Sequence, residues 1–307
     1  MVPTVRISSL MATLLTMLLV ASYPHSSLLV HTFSPIESAS FLSLVDQIKS
    51  ALLPIKQDIS SNVTLAREQA QYARLLPNDN VLKELKERNQ RIATELLRML
   101  DSLQNISLQN VTDNLSNIND LLAEAVTVRI QKDQLNNVTV QALAFANDTN
   151  KILDEYTAAF KEGNISLNMN MTDGGMSSMK MGNSSMIMAT DKTNKEIVKD
   201  VAAYQRAGAL TDIAIDRFIT ELKGKSNVTS AMEQVVKGLD QLKVSIQNMV
   251  SPVTIMGIVH GQIQPNLQTA FNLQLAQSTN NGSGNISMSM SMNNNNQFMQ
   301  DHAMNMC

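Results

Sequence analysis

The 307-residue chain contains one cysteine, no tryptophan and only 4% aromatic residues. A single cysteine excludes an internal disulfide framework, so apolar contacts must hold the fold together. The net charge of −3 provides no strongly basic surface, and we therefore expect neither nucleic acid nor an anionic membrane as a partner. Beyond the N-terminal segment, no apolar run approaches the ~18 residues of a membrane-spanning helix. We expect the mature protein to be soluble or bound to a surface.

The sequence also lacks the motifs on which common enzyme classes depend. Its four histidines are His25, His31, His260 and His302, and none forms an i, i+4 pair with a second metal-binding histidine or carboxylate. No phosphate-binding glycine loop and no G-x-S-x-G nucleophile turn is present. We predict that the protein is not an enzyme, and we interpret His260 as an ordinary surface residue in a loop.

The first 22 residues are typical of an export signal. Arg6 precedes an apolar run from Leu10 to Ala21, and small residues suited to cleavage follow. A run this short fits a signal peptide better than a membrane span. We predict a signal peptide at 1–22, a linker at 23–36 and export to the cell surface or the medium. An uncleaved anchor that extends to Val30 is the alternative.

Apolar residues recur at helical spacing through most of the remaining chain. The predicted stripes are Phe41, Leu44, Val45, Ile48 and Leu52; Leu82, Leu85, Ile92, Leu96, Met99 and Leu103, broken only by Asn89; Leu115, Ile118, Leu122 and Ala125; Val138, Ala142, Phe145, Thr149, Ile152, Tyr156 and Phe160; a helix at 197–222; and Met232, Val235, Leu239, Leu242, Ile246 and Met249. Such stripes predict helices that pack as a bundle. The predicted fold is all-α, an antiparallel helical bundle, either one elongated body or two packed halves at 37–162 and 191–277.

Polar residues and prolines predict several helix ends. We expect Pro54 near the end of the first helix, and Asp79 or Asn80 as the cap of the helix that follows Pro77. Ser230-Ala-Met-Glu233 matches the capping box, in which a hydroxyl and a carboxylate satisfy each other's free amides.

The last helical elements are predicted to be short. Ser251-Pro252 has the arrangement expected where one helix has ended and the next begins. We expect helices at 253–263 and 266–276, broken by two glycines and a proline.

Thirteen of the twenty methionines are concentrated in two segments that are poor in other apolar residues. Seven lie in a loop at 163–190, and six lie with a histidine and the cysteine in a tail at 278–307. The residues between them are mainly Gly, Ser, Asn and Thr, a composition typical of flexible, solvated chain. The candidate metal ligands are Met169, Met171, Met176, Met179, Met181, Met186, Met188, Met288, Met290, Met292, Met299, His302, Met304, Met306 and Cys307.

The chemistry of these side chains favours a soft monovalent ion. Thioether sulfur suits Cu(I), and it has no proton to lose in mild acid. The M-x-M and M-x-x-M spacings gather several weak ligands on one stretch of chain. Both segments resemble the Met-rich "Mets" motifs of copper transporters and of Met-rich copper-resistance proteins. This resemblance implies Cu(I) or Ag(I) binding, with a copper transporter or a cupredoxin-type acceptor as partner.

Other interpretations of the two segments remain open. The methionines could serve as an oxidisable sink, or the segments could be low-complexity chain without chemistry. In the second case the protein would be a structural or adhesive surface glycoprotein. Cys307 could bind copper, form a disulfide-linked dimer or have no role.

Twelve N-x-S/T sequons are present, and four of them read Asn-Val-Thr near a predicted helix start. Asparagine is a good N-cap, and the same tripeptide accepts N-linked glycans, so both roles are compatible. In sequon density and composition the chain is similar to exported helical glycoproteins of archaea. The candidate glycosylation sites are Asn62, Asn105, Asn110, Asn114, Asn137, Asn147, Asn164, Asn170, Asn183, Asn227, Asn281 and Asn285.

The number of helices between the loop and the tail decides whether the two Met-rich segments can share an ion. An even number would place both segments at one end of the bundle, and an odd number would place them at opposite ends. Origins more than about 60 Å apart would rule out sharing between flexible segments of this length.

Overall fold

The computed structural model describes residues 33–105, 107–160 and 197–275. Within these ranges 84% of the residues are helical and none lies in a strand, which confirms the predicted all-α fold. The longer helices are α1 (Pro35–Ser61), α2 (Val63–Leu75), α3 (Asp79–Arg88), α4 (Gln90–Ser102), α5 (Val111–Arg129), α7 (Val138–Phe160), α8 (Val201–Arg217) and α9 (Thr229–Gln247). The shorter elements are a 3₁₀ turn (Leu103–Asn105), α6 (Lys132–Leu135), a first π turn (Phe218–Leu222), α10 (Pro252–Ile258), a second π turn (Val259–Ile263) and α11 (Gln264–Phe271).

Helices α1, α7 and α8 pack against one another at the centre of the bundle. Helix α2 covers α1 on one side, while α9, α10 and α11 pack along α7 and α8 on another. A continuous hydrophobic core runs from α1 to α11, and Tyr156, Phe145 and Phe218 are its largest fully buried side chains. The rings of Phe145 and Phe218 lie 5.7 Å apart between centroids, so α7 contacts the end of α8 directly.

Helix α1 does not end near Pro54, and that prediction is wrong. The helix continues to Ser61 with Pro54 in its interior. Proline removes one helical hydrogen bond, but Ile55 and Ile59 continue the apolar stripe and are both buried. Burial of a large aliphatic side chain contributes about 1.5–3 kcal/mol, which is sufficient to offset a missing bond.

Asparagine begins three consecutive helices. The Oδ1 atoms of Asn62, Asn78 and Asn89 accept hydrogen bonds from the amides three residues later, at 3.2, 3.0 and 3.2 Å. The prediction of Asp79 or Asn80 as a cap is therefore wrong by one position. Asn89 separates two helices and does not merely interrupt one apolar stripe, because α3 ends before it and α4 begins after it.

The two predicted starts in the C-terminal half have different outcomes. Ser251 caps α10 as expected, with Pro252 in the first helical position. The capping box at 230–233 does not form, because α9 already begins at Thr229. The Oγ of Ser226 accepts the amide hydrogen of Val228 instead, at 3.1 Å.

The segment after Ser251 is one unbroken helical rod and not two short helices. This C-terminal rod, Pro252–Phe271, consists of α10, the second π turn and α11. It passes through both glycines and Pro265 without a break. Because proline lacks an amide hydrogen and crowds the preceding turn, the wider π turn just before Pro265 accommodates it inside the rod.

Candidate functional site

The predicted metal ligands all lie outside the residues that the structure describes, but the points at which their segments join the bundle are described. The residues concerned are Met169, Met171, Met176, Met179, Met181, Met186 and Met188 of the loop, and Met288, Met290, Met292, Met299, His302, Met304, Met306 and Cys307 of the tail. The structure therefore bears on where these segments are attached.

The loop leaves and re-enters the bundle at a single point. The carbonyl oxygen of Ala159, at the end of α7, accepts hydrogen bonds from the amides of Lys199 and Asp200 at 2.8 and 3.1 Å. Asp200 also caps α8, because its Oδ1 accepts the amide hydrogen of Ala203 at 2.8 Å. The two ends of segment 161–196 are thus fixed beside each other by backbone contacts.

A cluster of aromatic rings supports this attachment point. Tyr156, Phe160 and Tyr204 have ring centroids 4.7–6.3 Å apart. The Tyr156 hydroxyl donates to the carbonyl of Val250 at 2.6 Å, and the Tyr204 hydroxyl donates to that of Ile246 at 2.9 Å. The cluster therefore joins the ends of α7 and α9 to the start of α8.

The tail begins at the other end of the same helices. The side-chain Nε2 of Gln268 donates to the carbonyl of Leu275 at 3.3 Å, which holds the last described residues against α11. Ser226, in the turn between α8 and α9, donates to the carbonyl of Ala270 at 2.6 Å. The chain therefore enters the tail beside the α8–α9 turn.

Three antiparallel rods separate the loop from the tail, namely α8 with its π turn, α9, and the C-terminal rod. This odd number places the two origins at opposite ends of the bundle. Helix α8 has 17 residues and its π turn has 5, so the rod is ~30 Å long at ~1.5 Å per residue. The origins are therefore closer together than the limit of about 60 Å for sharing an ion.

The four methionines of the described residues, three in helices and Met249 in the turn after α9, differ in their surroundings. Met99 and Met232 are buried, and Met249 packs against the core from a partly exposed position. Met256, on α10, is also partly exposed, but it lies outside the core cluster formed by the described residues. Three of the four thus fill space as methionine commonly does.

A buried polar network joins α2, α7 and α8. Glu155 accepts hydrogen bonds from Arg206 at 2.8 Å and from the Tyr72 hydroxyl, and Lys151 pairs with it at 3.0 Å. The Arg206 guanidinium lies over the Tyr72 ring, 3.9 Å from its centroid. Gln69 accepts a further hydrogen bond from Arg206 at 3.2 Å. Every charged group in this network thus has a partner of opposite charge.

The charges of this network shift its pKa values in opposite directions. Burial raises the pKa of Tyr72 to about 12, and the adjacent Glu155 carboxylate adds to the shift. Burial alone would favour neutral Glu155, but Arg206, the Tyr72 hydroxyl and Lys151 outweigh it and lower the pKa of Glu155. Glu155 is therefore charged and Tyr72 neutral at physiological pH.

A second buried cluster contains two aspartates and one arginine. Arg217, the last residue of α8, pairs with Asp46 of α1 at 3.0 Å and lies 3.5 Å from Asp148 of α7. Its Nη1 donates to Gln141 at 2.5 Å. Asp148 is fully buried, and its carboxyl group lies beside the side chains of Ser43 and Asp46.

One arginine cannot neutralise both carboxylates of this cluster. Burial, and then the charge of Asp46, raise the pKa of Asp148 well above its usual value, although Arg217 opposes the shift. Burial therefore favours the neutral form of Asp148, whereas Arg217 forms its ion pair with Asp46. An open cleft of ≈500 Å³ lies outside the pair and is lined by Asp46, Arg217 and exposed acidic side chains of α8.

Sequence reasoning missed both clusters, although a signal for them was present. Asp148 lies three residues after Phe145 and four before Ile152, and Glu155 precedes Tyr156. A carboxylate among core positions of an apolar stripe indicates a buried charge that needs a partner. The partners, however, lie far away in the sequence.

The described sequons differ in exposure. Asn62, Asn105, Asn110 and Asn227 are exposed, whereas Asn114, Asn137 and Asn147 are partly buried. Asn164, Asn170, Asn183, Asn281 and Asn285 lie outside the described residues. At Asn62 the helix cap uses only Oδ1, so the amide nitrogen to which a glycan attaches remains available.

Within residues 33–105, 107–160 and 197–275, no group of three or more His, Cys, Asp or Glu side chains could hold a metal ion. In the same ranges no helix has the length and apolar character needed to span a membrane. Comparison of the chain with protein-family models, with curated proteins and with solved structures finds no match in any of the three. The functional conclusions below therefore depend on the chain's own chemistry.

Proposed function

We propose that the chain is an exported, non-enzymatic helical protein that captures or buffers Cu(I) or Ag(I) through its two Met-rich segments. A helical bundle would carry both segments and hold their origins at opposite ends. The ligands would be the thioethers of the loop and the tail, together with His302 and Cys307.

The observation that carries this proposal is the distribution of methionine. The described residues, which supply the core, contain four of the twenty methionines, and three of these pack as ordinary core or near-core side chains. The thirteen methionines of the two segments are separated by small polar residues and glycines. Thioether groups concentrated in this way, outside the apolar stripes, are suited to a soft metal ion.

The attachment of the loop gives further support. Because the Ala159 carbonyl accepts hydrogen bonds from Lys199 and Asp200, described residues join the end of α7 to the start of α8 directly. A copper transporter or a cupredoxin-type protein would be the donor or the acceptor, and Cys307 could also link two copies through a disulfide.

The test is a Cu(I) competition titration of the purified full chain against a chromogenic chelator. In the segment variant, the thirteen loop and tail methionines are changed to Leu, with His302→Asn and Cys307→Ser. We expect this variant to lose most of the bound Cu(I) while it keeps its helical circular dichroism. A matched control, Met99→Leu with Met232→Leu, should bind as the wild type does. Unchanged stoichiometry in the segment variant would remove the proposal.

A surface glycoprotein is the second candidate, and the exposure of the sequons at helix junctions favours it. For a chain modified after folding, we predict glycans at Asn62 and Asn227 and none at Asn147. The reason is that Thr149, the acceptor-motif hydroxyl beside Asn147, is fully buried and donates to the carbonyl of Ala146 at 2.8 Å. Glycopeptide mass spectrometry of protein from its native host measures this directly, and a glycan at Asn147 would contradict the prediction.

A further inference from the structure

His260 does not lie in a loop, as the sequence suggested, but in the second π turn of the C-terminal rod. Its side chain is exposed, and its Nδ1 lies 2.8 Å from Oε1 of Gln264. Gln264 is itself fixed, because its Nε2 donates to Oδ1 of Asn150 on α7 at 2.6 Å. The imidazole is therefore held by a two-step chain of hydrogen bonds that ends on a central helix.

This chain of contacts determines the tautomer of His260. Since the amide nitrogen of Gln264 donates to Asn150, the amide oxygen is the atom that faces the imidazole. An oxygen can only accept, so Nδ1 carries the hydrogen and Nε2 presents a lone pair. Histidine ligands in metal sites are commonly oriented in this way, through a hydrogen bond from the other ring nitrogen.

A soft ligand lies one helical turn before this imidazole. Met256 and His260 are four positions apart on the rod, one near the end of α10 and the other in the second π turn, so they lie on adjacent turns. Helical side chains lean toward the N-terminus, and the turn that carries Met256 lies on that side of His260. Met256 is partly exposed and lies outside the core cluster of the described residues.

The surface beside this pair is open. Gly257 and Gly261 follow the two residues at the same spacing, and both are exposed. A Cβ added at either glycine would have no atom of the described structure within 4 Å. Alanine would stabilise an exposed helical position by roughly 0.5–1 kcal/mol relative to glycine. Packing against the described residues therefore requires neither glycine.

We propose that Met256 and His260 form a site for Cu(I) or Ag(I) on the C-terminal rod. A thioether and a neutral imidazole are a donor pair that suits a soft monovalent ion better than Zn²⁺ or Mg²⁺. This site goes beyond the proposed function, because it uses neither Met-rich segment. The rod runs from the loop end of the bundle to the origin of the tail, so the site lies between the two segments.

The experiment uses the full-length segment variant, in which loop and tail methionines, His302 and Cys307 are replaced. In the same chelator competition, we expect it to retain a single Cu(I) ion. Adding His260→Ala or Met256→Leu should abolish this residual binding, whereas Met249→Leu, a matched control on a nearby turn, should preserve it. Helical circular dichroism confirms that each variant is folded.

A second measurement reports the ligand atom. Long-range ¹H–¹⁵N spectra of the segment variant resolve Nδ1 and Nε2 of His260, and titration with Ag(I) should shift Nε2 by more than Nδ1. No residual ion in a folded segment variant, or residual binding that survives His260→Ala, would overturn the inference. These outcomes differ from failure of the proposed function, in which the segment variant would bind as much Cu(I) as the wild type.

Discussion

The Nε of Arg206 donates to Oε2 of Glu155 across 2.8 Å, and the two side chains are only 7% and 6% exposed. A buried ion pair of this kind contributes little net stability when both charges are present. Removal of one partner is different, because the remaining charge stays buried without compensation. The pair therefore identifies a position at which a small chemical change has a large effect.

Glu155→Gln should lower the free energy of unfolding by about 3–5 kcal/mol, because it leaves Arg206 buried without its counter-ion. Urea unfolding followed by circular dichroism measures the change. The control is Glu95→Gln, which removes a solvent-exposed i, i+4 partner of Arg91 and should leave stability unchanged. Equal effects of the two substitutions would show that burial of the Glu155 pair has no consequence.

The same carboxylate should contribute to the acid sensitivity of the fold. Because the folded-state pKa of Glu155 is lowered, its stabilisation is complete above the unfolded-state value of about 4.3. It is lost as pH falls through the folded-state value. The urea midpoint of the wild type should therefore decrease below about pH 4.5 more steeply than that of Glu155→Gln. Parallel pH profiles of the two proteins would contradict this assignment.

Asp148→Asn should stabilise the protein at neutral pH. The raised pKa of Asp148 means that the folded state prefers the neutral acid. Below the unfolded-state pKa of about 3.9 the carboxyl group is neutral in both states, so its burial does not lower stability. Stability is lost as pH rises through the folded-state pKa. Asparagine is neutral at every pH and can donate to Asp46, so a gain of about 1–3 kcal/mol is expected at pH 7.

The control for this prediction is Asp240→Asn, which removes a carboxylate from an exposed position on α9. The urea midpoint of Asp148→Asn should exceed that of the wild type at neutral pH and equal it below about pH 4. The midpoint of Asp240→Asn should match that of the wild type at both pH values. A loss of stability in Asp148→Asn at pH 7 would mean that the charged aspartate is required.

Gly238→Ala should destabilise the contact between α9 and the second π turn. A Cβ at this buried position would lie 2.7 Å from Cγ1 of Ile263, which is itself fully buried. Overpacking of this kind costs about 1–3 kcal/mol. Gly208→Ala on α8 is the matched control, because its Cβ would meet no described atom within 4 Å. We expect that control to gain roughly 0.5–1 kcal/mol in thermal or urea unfolding.

The helices were predictable because their signal is local. The stripe from Val138 to Phe160 is buried at every position after its first residue, and the stripe from Met232 to Ile246 is buried throughout. Helix ends were harder to predict. Pro54 and Pro265 lie inside helices, since burial of the neighbouring turns outweighs the local preference of proline.

The polar sites were not predictable, because their partners are distant in the sequence. Arg206 lies 51 residues from Glu155, and Arg217 lies 171 residues from Asp46. Likewise, the contact that orients Gln264, and through it His260, comes from Asn150, 114 residues before Gln264. No spacing rule connects residues at such separations, and only the packed bundle brings them together.

The two amides that converge on the Ala159 carbonyl have a consequence for how this chain can evolve. The bundle itself holds the ends of α7 and α8 together. The entropic cost of closing a flexible loop between them grows only with the logarithm of the loop length. Each doubling costs about 0.6 kcal/mol. A flexible connection between Phe160 and Ile197, which its composition predicts, would accept insertions, deletions and changes of composition at little cost to folding. Selection can thus change the number of thioethers there without remodelling the helices that carry them.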